Sequence, residues 1–333
     1  MLEKGQSLEV IQSDIENDIE WKEFIRNQYN LFYDDRFLKY HDAFGKNMNW
    51  HHLKIKVKDT NKVYALVTGY IDKDTNTFIS CKGASFGGFL WKRKISVIEY
   101  LLIVKAFRDY LKQINIKYCL LIVPPFIYME GRNEENDYAL FKNGFNVKDV
   151  SITNIIDLVD FSHNKISYAV YKQVVKQQTD IIEYKMIEGI IDDQGLTEFY
   201  GLLETDRKLK GTIPTHTREE LIYLKNNLPD NIKIFQAKIS GEMAGICVLF
   251  VINKNIILNF YLAASEKYKD STVMKNLLLH TVEWSAENNY TFYDIGTSDV
   301  NGKFLEGVFK FKKRFSAHGF LRKNFEINLD NQV

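Results

Sequence analysis

The chain has 333 residues, of which 45% are hydrophobic and 26% are charged, and its formal net charge is +1. This length is natural for two domains, and a nearly neutral chain has no overall field that would indicate a nucleic acid or a membrane as partner. No apolar run approaches the roughly 20 residues that a transmembrane helix needs, and the first residues do not form an apolar signal segment. We therefore expect a cytoplasmic protein without membrane insertion, in which the three cysteines stay reduced.

In chain order, the first 20 residues are polar and predict a surface helix or a loose tail. Trp21–Asn30 and Leu31–Phe44 predict two short helices. Three strands are predicted next, at His52–Val57, Val63–Ile71 and Thr77–Cys81. After a glycine-rich interruption, Ser96–Gln113 predicts a helix because its apolar residues recur on one face. Tyr118–Val123 is an apolar run closed by two prolines, and it predicts a buried parallel strand.

The same order of elements recurs in the second half of the chain. The predicted elements there are the strands Ile232–Ile239, Ala244–Val251 and Ile256–Leu262, the helix Ser271–Asn288 and the closing strand Thr291–Gly296. Aligning Ser96 with Ser271 keeps the two helices in register as far as the tyrosine at the edge of each closing strand. The repeat predicts two copies of one α+β unit, residues 1–160 and 161–333, with a seam between them in which a large two-part substrate would fit.

Between the copies, Asn154–Leu158 predicts a strand and Lys165–Gln178 a polar helix. In each copy, the loop before the long helix and the start of that helix are expected at one edge of the sheet. Unpaired N–H groups and the positive end of the helix dipole suit an anionic group such as a pyrophosphate at this position. In the second copy, Ser271 or Thr272 is the expected N-cap.

Three segments of the second half carry a family resemblance. They are Thr205-Asp206-Arg207-Lys208-Leu209-Lys210-Gly211-Thr212-Ile213-Pro214, Phe292-Tyr293-Asp294-Ile295-Gly296-Thr297-Ser298 and Gly307-Val308-Phe309-Lys310-Phe311-Lys312-Lys313-Arg314-Phe315. In this order they are similar to the T-x-R-(K/R)-x-x-G-x-P, (Y/F)-D-(F/I)-G-x-S and G-L-x-x-F-K-x-x-F segments of the FemAB/FemX-like branch of the GNAT acyltransferase superfamily, with one extra residue before the proline. The glycine-rich segment 83–88 also resembles a motif of related tandem acyltransferases.

The resemblance implies an α+β fold of two tandem GNAT-like domains, each a mixed, mostly antiparallel sheet flanked by helices. It implies transfer of an acyl or aminoacyl group onto an amine, which in GNAT enzymes attacks the thioester directly. Relatives in the FemAB branch use aminoacyl-tRNA to extend peptidoglycan bridge peptides, and others are acyl-CoA N-acyltransferases near polysaccharide or lipid pathways. Ala263–Lys269 departs from the pattern, because ordinary GNAT enzymes have a glycine-rich pyrophosphate loop there.

Two residues are expected to take part in catalysis. Lys312 would place a cation near the scissile carbonyl or the donor phosphates, or else it coats the surface together with the neighbouring cations. Asp294 lies in an apolar strand, where a carboxylate needs a partner or a wet cleft; it would orient a base or the attacking amine, or form a structural ion pair. The residues expected to bind donor or substrate are Arg207, Tyr261, Ser265, Tyr293, Ser298, Asn301, Phe311, Ser85 and Gly87. The histidines and cysteines show no metal-ligating spacing, so no metal is expected.

Three functions stay open at this point. The first is an N-acyltransferase with acyl-CoA as co-substrate and an amine of a small molecule, such as a sugar or peptide, or of a cell-envelope precursor as acceptor. The second is an aminoacyl-tRNA-dependent ligase with the same fold, which tRNA binding that weakens with salt would reveal. The third is a non-catalytic tandem domain that binds a ligand or a partner.

Overall fold

The computed structural model describes residues 6–44, 48–80, 82–129, 131–159, 161, 166–167, 170, 172, 174, 182–268, 272–300 and 302–330. The chain forms two compact units. The first unit comprises Met1–Ser151 together with Leu321–Val333, and the second comprises Ile152–Phe320. The sequence placed one boundary near residue 160; the structure instead returns the last segment of the chain to the first unit.

Most strands and helices of the first unit are short, and its two long elements are one helix and the last strand of the chain. The strands are β1 (Leu8–Gln12), β2 (Asn49–Trp50), β3 (Leu53–Val57), β4 (Val63–Thr68), β5 (Tyr70–Asp72), β6 (Thr77–Ile79), β7 (Gly88–Trp91), β8 (Tyr118–Val123) and β17 (His318–Asn328). The helices are α1 (Ile19–Asn27), α2 (Asp35–Leu38), α3 (Tyr40–Ala43), α4 (Val97–Gln113) and α5 (Glu135–Lys142). One sheet has the order β1-β3-β4-β7, and a second group of strands has the order β2-β5-β6-β8-β17.

Helix α4 covers the core of the first unit with the apolar face that the sequence predicts. A capping box starts the helix: the Ser96 hydroxyl accepts from the Glu99 N–H at 3.3 Å, and the Glu99 carboxylate accepts from the Ser96 N–H at 2.6 Å. The side chains of this face are buried among the strands of the unit: Tyr100, Val104, Phe107 and Leu111.

The first unit differs from the sequence prediction at three places. The polar start contains a strand, because Leu8 of β1 packs against the core and β1 pairs antiparallel with β3. The single predicted strand Val63–Ile71 divides at Gly69, where a Cβ would come within 2.4 Å of the Phe78 ring. The end of the glycine-rich interruption forms β7, which pairs with β4. For β1 and β7 the deciding partner strand lies far along the chain, where periodicity carries no information.

The second unit is a mixed sheet with helices on both faces. Its strands are β9 (Asn146–Asp157), which enters from the first unit, β10 (Ile182–Ile187), β11 (Ile232–Ile239), β12 (Glu242–Val251), β13 (Ile256–Ala264) and β14 (Phe292–Thr297), with a small hairpin of β15 (Asp299–Val300) and β16 (Lys303–Phe304). Its helices are α6 (Asp193–Leu209), α7 (Arg218–Asn227), α8 (Val273–Glu287) and α9 (Glu306–Lys313). The strand order is β10-β11-β12-β13-β14-β9, antiparallel except for the parallel pair β13 and β14.

Alternate residues of the central strand β12 face different helices. Cys247 and Leu249 of β12 share a core cluster with α8. Phe250 of the same strand instead packs against His216, which lies between α6 and α7. This alternation, with period two, is what a sheet covered on both faces requires.

The predicted α+β class, with a mixed sheet flanked by helices, is confirmed. The predicted helix of the second copy is α8; Thr272 is its N-cap and makes no side-chain capping bond, while Ser271 lies outside the described residues. Cys81 and most of the predicted helix Lys165–Gln178 also lie outside them. None of the described helices combines the length and the apolar composition that a bilayer crossing requires.

Candidate active site

The two parallel strands of the second unit part before they end. Their pairing covers Ile256–Leu258 of β13 and Phe292–Asp294 of β14. Beyond these residues, β13 runs on beside β12 to Ala264, whereas β14 is irregular and next pairs at Thr297 with β9. A strand that loses its neighbour presents peptide N–H and C=O groups along the open side. The second half of β13 therefore offers an edge to which an extended ligand can hydrogen bond.

Asp294 explains why β14 turns away. Its buried carboxylate accepts from the Thr153 hydroxyl of β9 and, at 2.7 Å, from the N–H of Gly296. The Gly296 amide thus bonds within its own strand instead of continuing a ladder with β13. Gly296 also has φ 85°, a conformation that favours glycine. Asp294 is therefore placed as a residue that shapes the opening.

Lys312 holds the same opening from the other side. It lies near the end of α9, its side chain is buried, and its ammonium donates to the carbonyl oxygens of Gly296 at 2.8 Å and Thr297 at 2.6 Å. The structure therefore brings the two residues predicted to be catalytic together at one peptide segment. Lys312 also differs from its neighbours on the helix, because Lys310 and Lys313 are exposed.

A β-bulge presents two aromatic residues to the face covered by α6 and α7. The register of β12 and β13 shifts between Val248 and Leu249, so that Phe260 is left without a partner. Asn259 then faces α8, whereas Phe260 and Tyr261 both contact His216 on the other face. A bulge has this effect because two residues of one strand oppose a single residue of its neighbour.

Tyr261 supports Arg207. The guanidinium lies over the Tyr261 ring, 5.4 Å from its centroid, and pairs with Asp206 at 3.3 Å. Burial raises the pKa of Tyr261 to about 12, so its hydroxyl stays protonated at neutral pH. A planar guanidinium held on an aromatic ring is well suited to a phosphate or carboxylate.

His216 is a residue of this site that the sequence did not single out. Its backbone N–H donates to the Tyr261 hydroxyl at 3.0 Å, and its ring Nδ1 lies 3.0 Å from the same oxygen. Its carbonyl accepts from the Tyr200 hydroxyl at 2.7 Å. The fully buried imidazole therefore fixes Tyr261, and through it the platform beneath Arg207. The only signal in the sequence was its position two residues after Pro214.

The solved structures that resemble the chain over nearly its whole length include FemX, L-PGS and a tandem GNAT protein. FemX has 13% identity and a TM-score of 0.65 over 97% of this chain and 98% of its own. L-PGS from Bacillus licheniformis has 13% identity and a TM-score of 0.63 over 95% and 92%. A tandem GNAT protein from the clavulanic acid biosynthesis pathway has 9% identity and a TM-score of 0.59 over 98% and 100%.

The chain has a FemX-like tandem GNAT fold. The predicted resemblance is thereby confirmed at the level of the fold, which is what identities of 9% to 13% establish. No family profile matches the sequence, and no curated protein matches it.

Tyr293 and Ser298, which were predicted to contact substrate, are buried in the second unit of this tandem GNAT fold. The Tyr293 hydroxyl accepts from the Asn259 amide at 2.9 Å and lies 2.8 Å from the Thr281 hydroxyl of α8. Burial raises the pKa of Tyr293 well above its usual value. Ser298 donates to the Asn154 side chain at 2.6 Å and is also buried. Both environments are those of core residues.

The remaining predicted site residues of the second unit lie at its surface or outside the described residues. Phe311 is half-buried and packs on Phe315 at 5.3 Å between ring centroids. Ser265, also partly exposed, follows β13 and donates its N–H to the Ala244 carbonyl at 2.9 Å. Asn301 lies outside the described residues. Residues 269–271, which lead into α8 and its predicted anion site, do so as well.

Ser85 and Gly87 belong to the first unit. There the strand pair β6 and β8 stays tied together beyond its ladder: Ser80 donates its N–H to the Leu120 carbonyl at 2.9 Å, and the Ser80 hydroxyl accepts from the Ile122 N–H at 2.8 Å. Gly87 then donates to the Ile122 carbonyl at 2.8 Å. Gly87, which was predicted to contact substrate, thus hydrogen bonds to the edge of β8 in the first unit, whereas the corresponding strand edge of the second unit is open.

The described residues show two further features that bear on ligands. A surface cavity of about 680 Å³ lies between β1 and α4 of the first unit and contains none of the predicted site residues. Across the described part of the chain, no three histidine, cysteine, aspartate or glutamate side chains converge as metal ligands would. We therefore place the candidate site at the strand opening of the second unit.

Proposed function

We propose that this protein is an N-acyltransferase that moves an acyl group from acyl-CoA to an amine of a sugar, a peptide or a cell-envelope precursor. The observation that carries the proposal is the opening between β13 and β14, where Asp294 and Lys312 hold Gly296 by its N–H and its C=O. The first unit has the corresponding edge closed at Gly87, which supports a donor site in the second unit alone.

The open edge of β13 suits the donor by its chemistry. The pantetheine arm of coenzyme A is extended and carries amide groups, so it can add to Asn259–Ala264 as a further strand would. The thioester carbonyl would then lie against backbone N–H groups of this edge, which stabilise a tetrahedral oxyanion. Lys312 adds a positive charge beside it.

In the proposed reaction, the neutral amine bonds to the acyl carbon and the carbon–sulfur bond breaks. The new amide nitrogen loses a proton and the thiolate takes one up. Holding amine and thioester together supplies much of the rate enhancement in such a transfer. Arg207, supported on Tyr261, would bind a phosphate or carboxylate of either substrate.

The test is acyl transfer by the purified full-length protein. We expect mass spectrometry to find an acylated amine when the protein is incubated with a panel of acyl-CoA donors and candidate amines. Arg207→Ala should raise the KM of one substrate, whereas Arg218→Ala, on the neighbouring helix α7, serves as the matched control. A folded protein that acylates nothing across the panel would contradict the proposal.

A second candidate is an aminoacyl-tRNA-dependent ligase, which the fold likeness to FemX favours. The amine again bonds to a carbonyl carbon, but the bond that breaks is the carbon–oxygen bond of the aminoacyl ester, the ribose oxygen takes up the proton, and the donor is a large polyanion. Its binding should weaken steeply with salt, because contacts to phosphates release counterions. Titration of total tRNA at low and at physiological ionic strength distinguishes the two candidates, since a flat signal at low salt removes this one.

A further inference from the structure

Exposed apolar side chains stand beside lysines where α6 ends. Leu209 is 66% exposed and Ile213 is 85% exposed. Lys208 and Lys210 flank Leu209, and both lysines are exposed. Aliphatic side chains exposed to this degree, at the end of a helix and in the loop after it, have no role in packing the unit.

A second segment of the same kind follows β14. Phe304 of β16 is 49% exposed and lies 5.5 Å from Phe309, between ring centroids. Val300 and Val308 are also exposed. We call the two segments together the basic rim, and its exposed residues are Lys208, Leu209, Lys210, Ile213, Val300, Lys303, Phe304, Val308, Lys313 and Arg314.

Both segments leave the second unit at one edge of the sheet. β13 and β14 are parallel, so their carboxyl ends share an edge, and the second segment follows β14 directly. Helix α6 starts at the opposite edge. Just before it, the Ile191 N–H donates to Asn226, near the end of α7, at 2.9 Å. Asn231, shortly after α7, bonds to the last residue of β12, so the start of α6 lies near that end of the strand. The 17 residues of α6 rise about 25 Å, close to the length of a nine-residue strand such as β13 at about 30 Å.

The rim is positively charged although the chain is nearly neutral. Residues 206–213 carry three cations and one anion, and residues 299–314 carry five cations and two anions, in a chain whose net charge is +1. The three anions are engaged within the unit: Asp206 with Lys210, Glu306 with Lys310, and Asp299 with the N–H of Ile152. The remainder of the chain is therefore acidic on balance, and this edge is where positive charge collects.

We propose that the basic rim docks the protein on an anionic phospholipid surface. Lysines would contact lipid phosphates, while Leu209, Ile213 and Phe304 enter the headgroup region, a combination typical of proteins that lie on a membrane without crossing it. An RNA partner would match the charge, but it calls for stacking aromatic residues, and two of these three side chains are aliphatic. The docking does not depend on acyl transfer, and it would bring the strand opening to a lipid-borne amine or phosphate.

The experiment is flotation of the full-length protein with vesicles of phosphatidylcholine alone and of equal parts phosphatidylcholine and phosphatidylglycerol. We expect binding to the anionic vesicles only. Charge reversal by Lys208→Glu or Lys303→Glu should weaken it about fivefold or more each, since a basic residue near such a surface contributes on the order of that factor. Ile213→Ser with Phe304→Ser should weaken it further without changing the circular dichroism spectrum.

Two matched controls lie at the opposite edge of the sheet. Ile190 is 85% exposed just before α6, and Lys254 is exposed in the turn between β12 and β13; Ile190→Ser and Lys254→Glu should leave vesicle binding unchanged. Equal loss in these controls, or no binding of the wild type to anionic vesicles, would overturn the proposal. So would binding of total tRNA that the apolar variants leave intact while the vesicles fail to bind. Acyl transfer to a soluble amine, measured without vesicles, tests the proposed function separately.

Discussion

Asp294 and Lys312 hold the same residue, one through the N–H of Gly296 and the other through its C=O. The sequence raised both a catalytic and a structural role for Asp294. Its buried carboxylate, occupied by Thr153 and Gly296, makes it a positioning residue, since it shapes the opening without facing it. The hydrogen bonds that hold Gly296 therefore both shape the strand opening and place Lys312 beside it.

Replacing Asp294 separates positioning from catalysis. Asp294→Ala leaves the buried Thr153 hydroxyl and the half-buried Gly296 N–H without this acceptor and should lower the free energy of unfolding by about 3 kcal/mol. Asp294→Asn keeps an acceptor oxygen and should retain most of the transfer activity, measured as kcat. A folded Asp294→Asn protein without activity would show instead that the carboxylate acts as a base.

Lys312 should matter more than any other lysine of its helix. Lys312→Met removes two hydrogen bonds from a buried charged donor to half-buried carbonyls, and should cost about 2 to 3 kcal/mol of stability by urea unfolding. The matched control is Lys310→Met, which loses only an exposed pair with Glu306 and should cost about 0.5 kcal/mol or less. Equal effects in the two variants would contradict the assignment of Lys312 to the strand opening.

At the scale of elements, the short strand β3 follows two buried histidines. His52 stacks on Trp50 at 5.9 Å, and His51 bonds to the Tyr110 hydroxyl at 2.8 Å. Burial, together with the neighbouring His51, lowers the pKa of His52 to about 3, and burial lowers the pKa of His51. Both imidazoles are therefore neutral in the folded first unit.

This arrangement predicts that acid destabilises the first unit. Below pH 6.5 the unfolded chain binds protons at His52 that the folded chain does not, so the free energy of unfolding falls as the pH drops toward 3. By linkage, the loss at pH 4.5 should be about 2 to 3 kcal/mol for this one residue. His52→Phe should flatten the pH profile of chemical unfolding, whereas the exposed His318→Asn should not; equal profiles for wild type and His52→Phe would refute the prediction.

At the scale of the whole molecule, the last segment of the chain belongs to the first unit. Residues 323–328 of β17 pair with β8, and Phe325, Ile327 and Leu329 lie in the core that α4 covers. The C-terminal segment is therefore part of the first unit, even though the second unit separates the two along the chain.

We expect Phe325→Ala to destabilise the first unit by about 3 to 5 kcal/mol, because it removes a fully buried ring. Hydrogen exchange should show the loss of protection in α4 of the first unit, with α8 of the second unit less affected. Leu321→Ala, at a half-exposed position, is the control and should have little effect. Loss of protection confined to α8 would show that the segment belongs to the second unit.

Sequence patterns predicted α4, α8 and the strands around them, because apolar period and helix caps are local properties. The same patterns missed β1 and β7, because such short segments become strands only through pairing with a neighbouring strand. Of the candidate site, the motifs located Asp294, Lys312 and Arg207, and Tyr261 was predicted as a binding residue on a strand outside them. They did not locate His216, because no periodicity marks a loop residue whose partner lies 45 residues away.

The sequence by itself determined the repeated α+β order, which follows from short-range patterns of apolar residues and turns, and its three motifs implied the FemX-like fold by their resemblance to a known family. Only the tertiary structure decided which copy is open. Thr153 reaches Asp294 across 141 residues of chain, the Gly296 amide turns back on its own strand, and Gly87 closes the corresponding edge in the first unit. The first and the last of these hydrogen bonds join distant residues, and they exist only once the strands have been brought side by side.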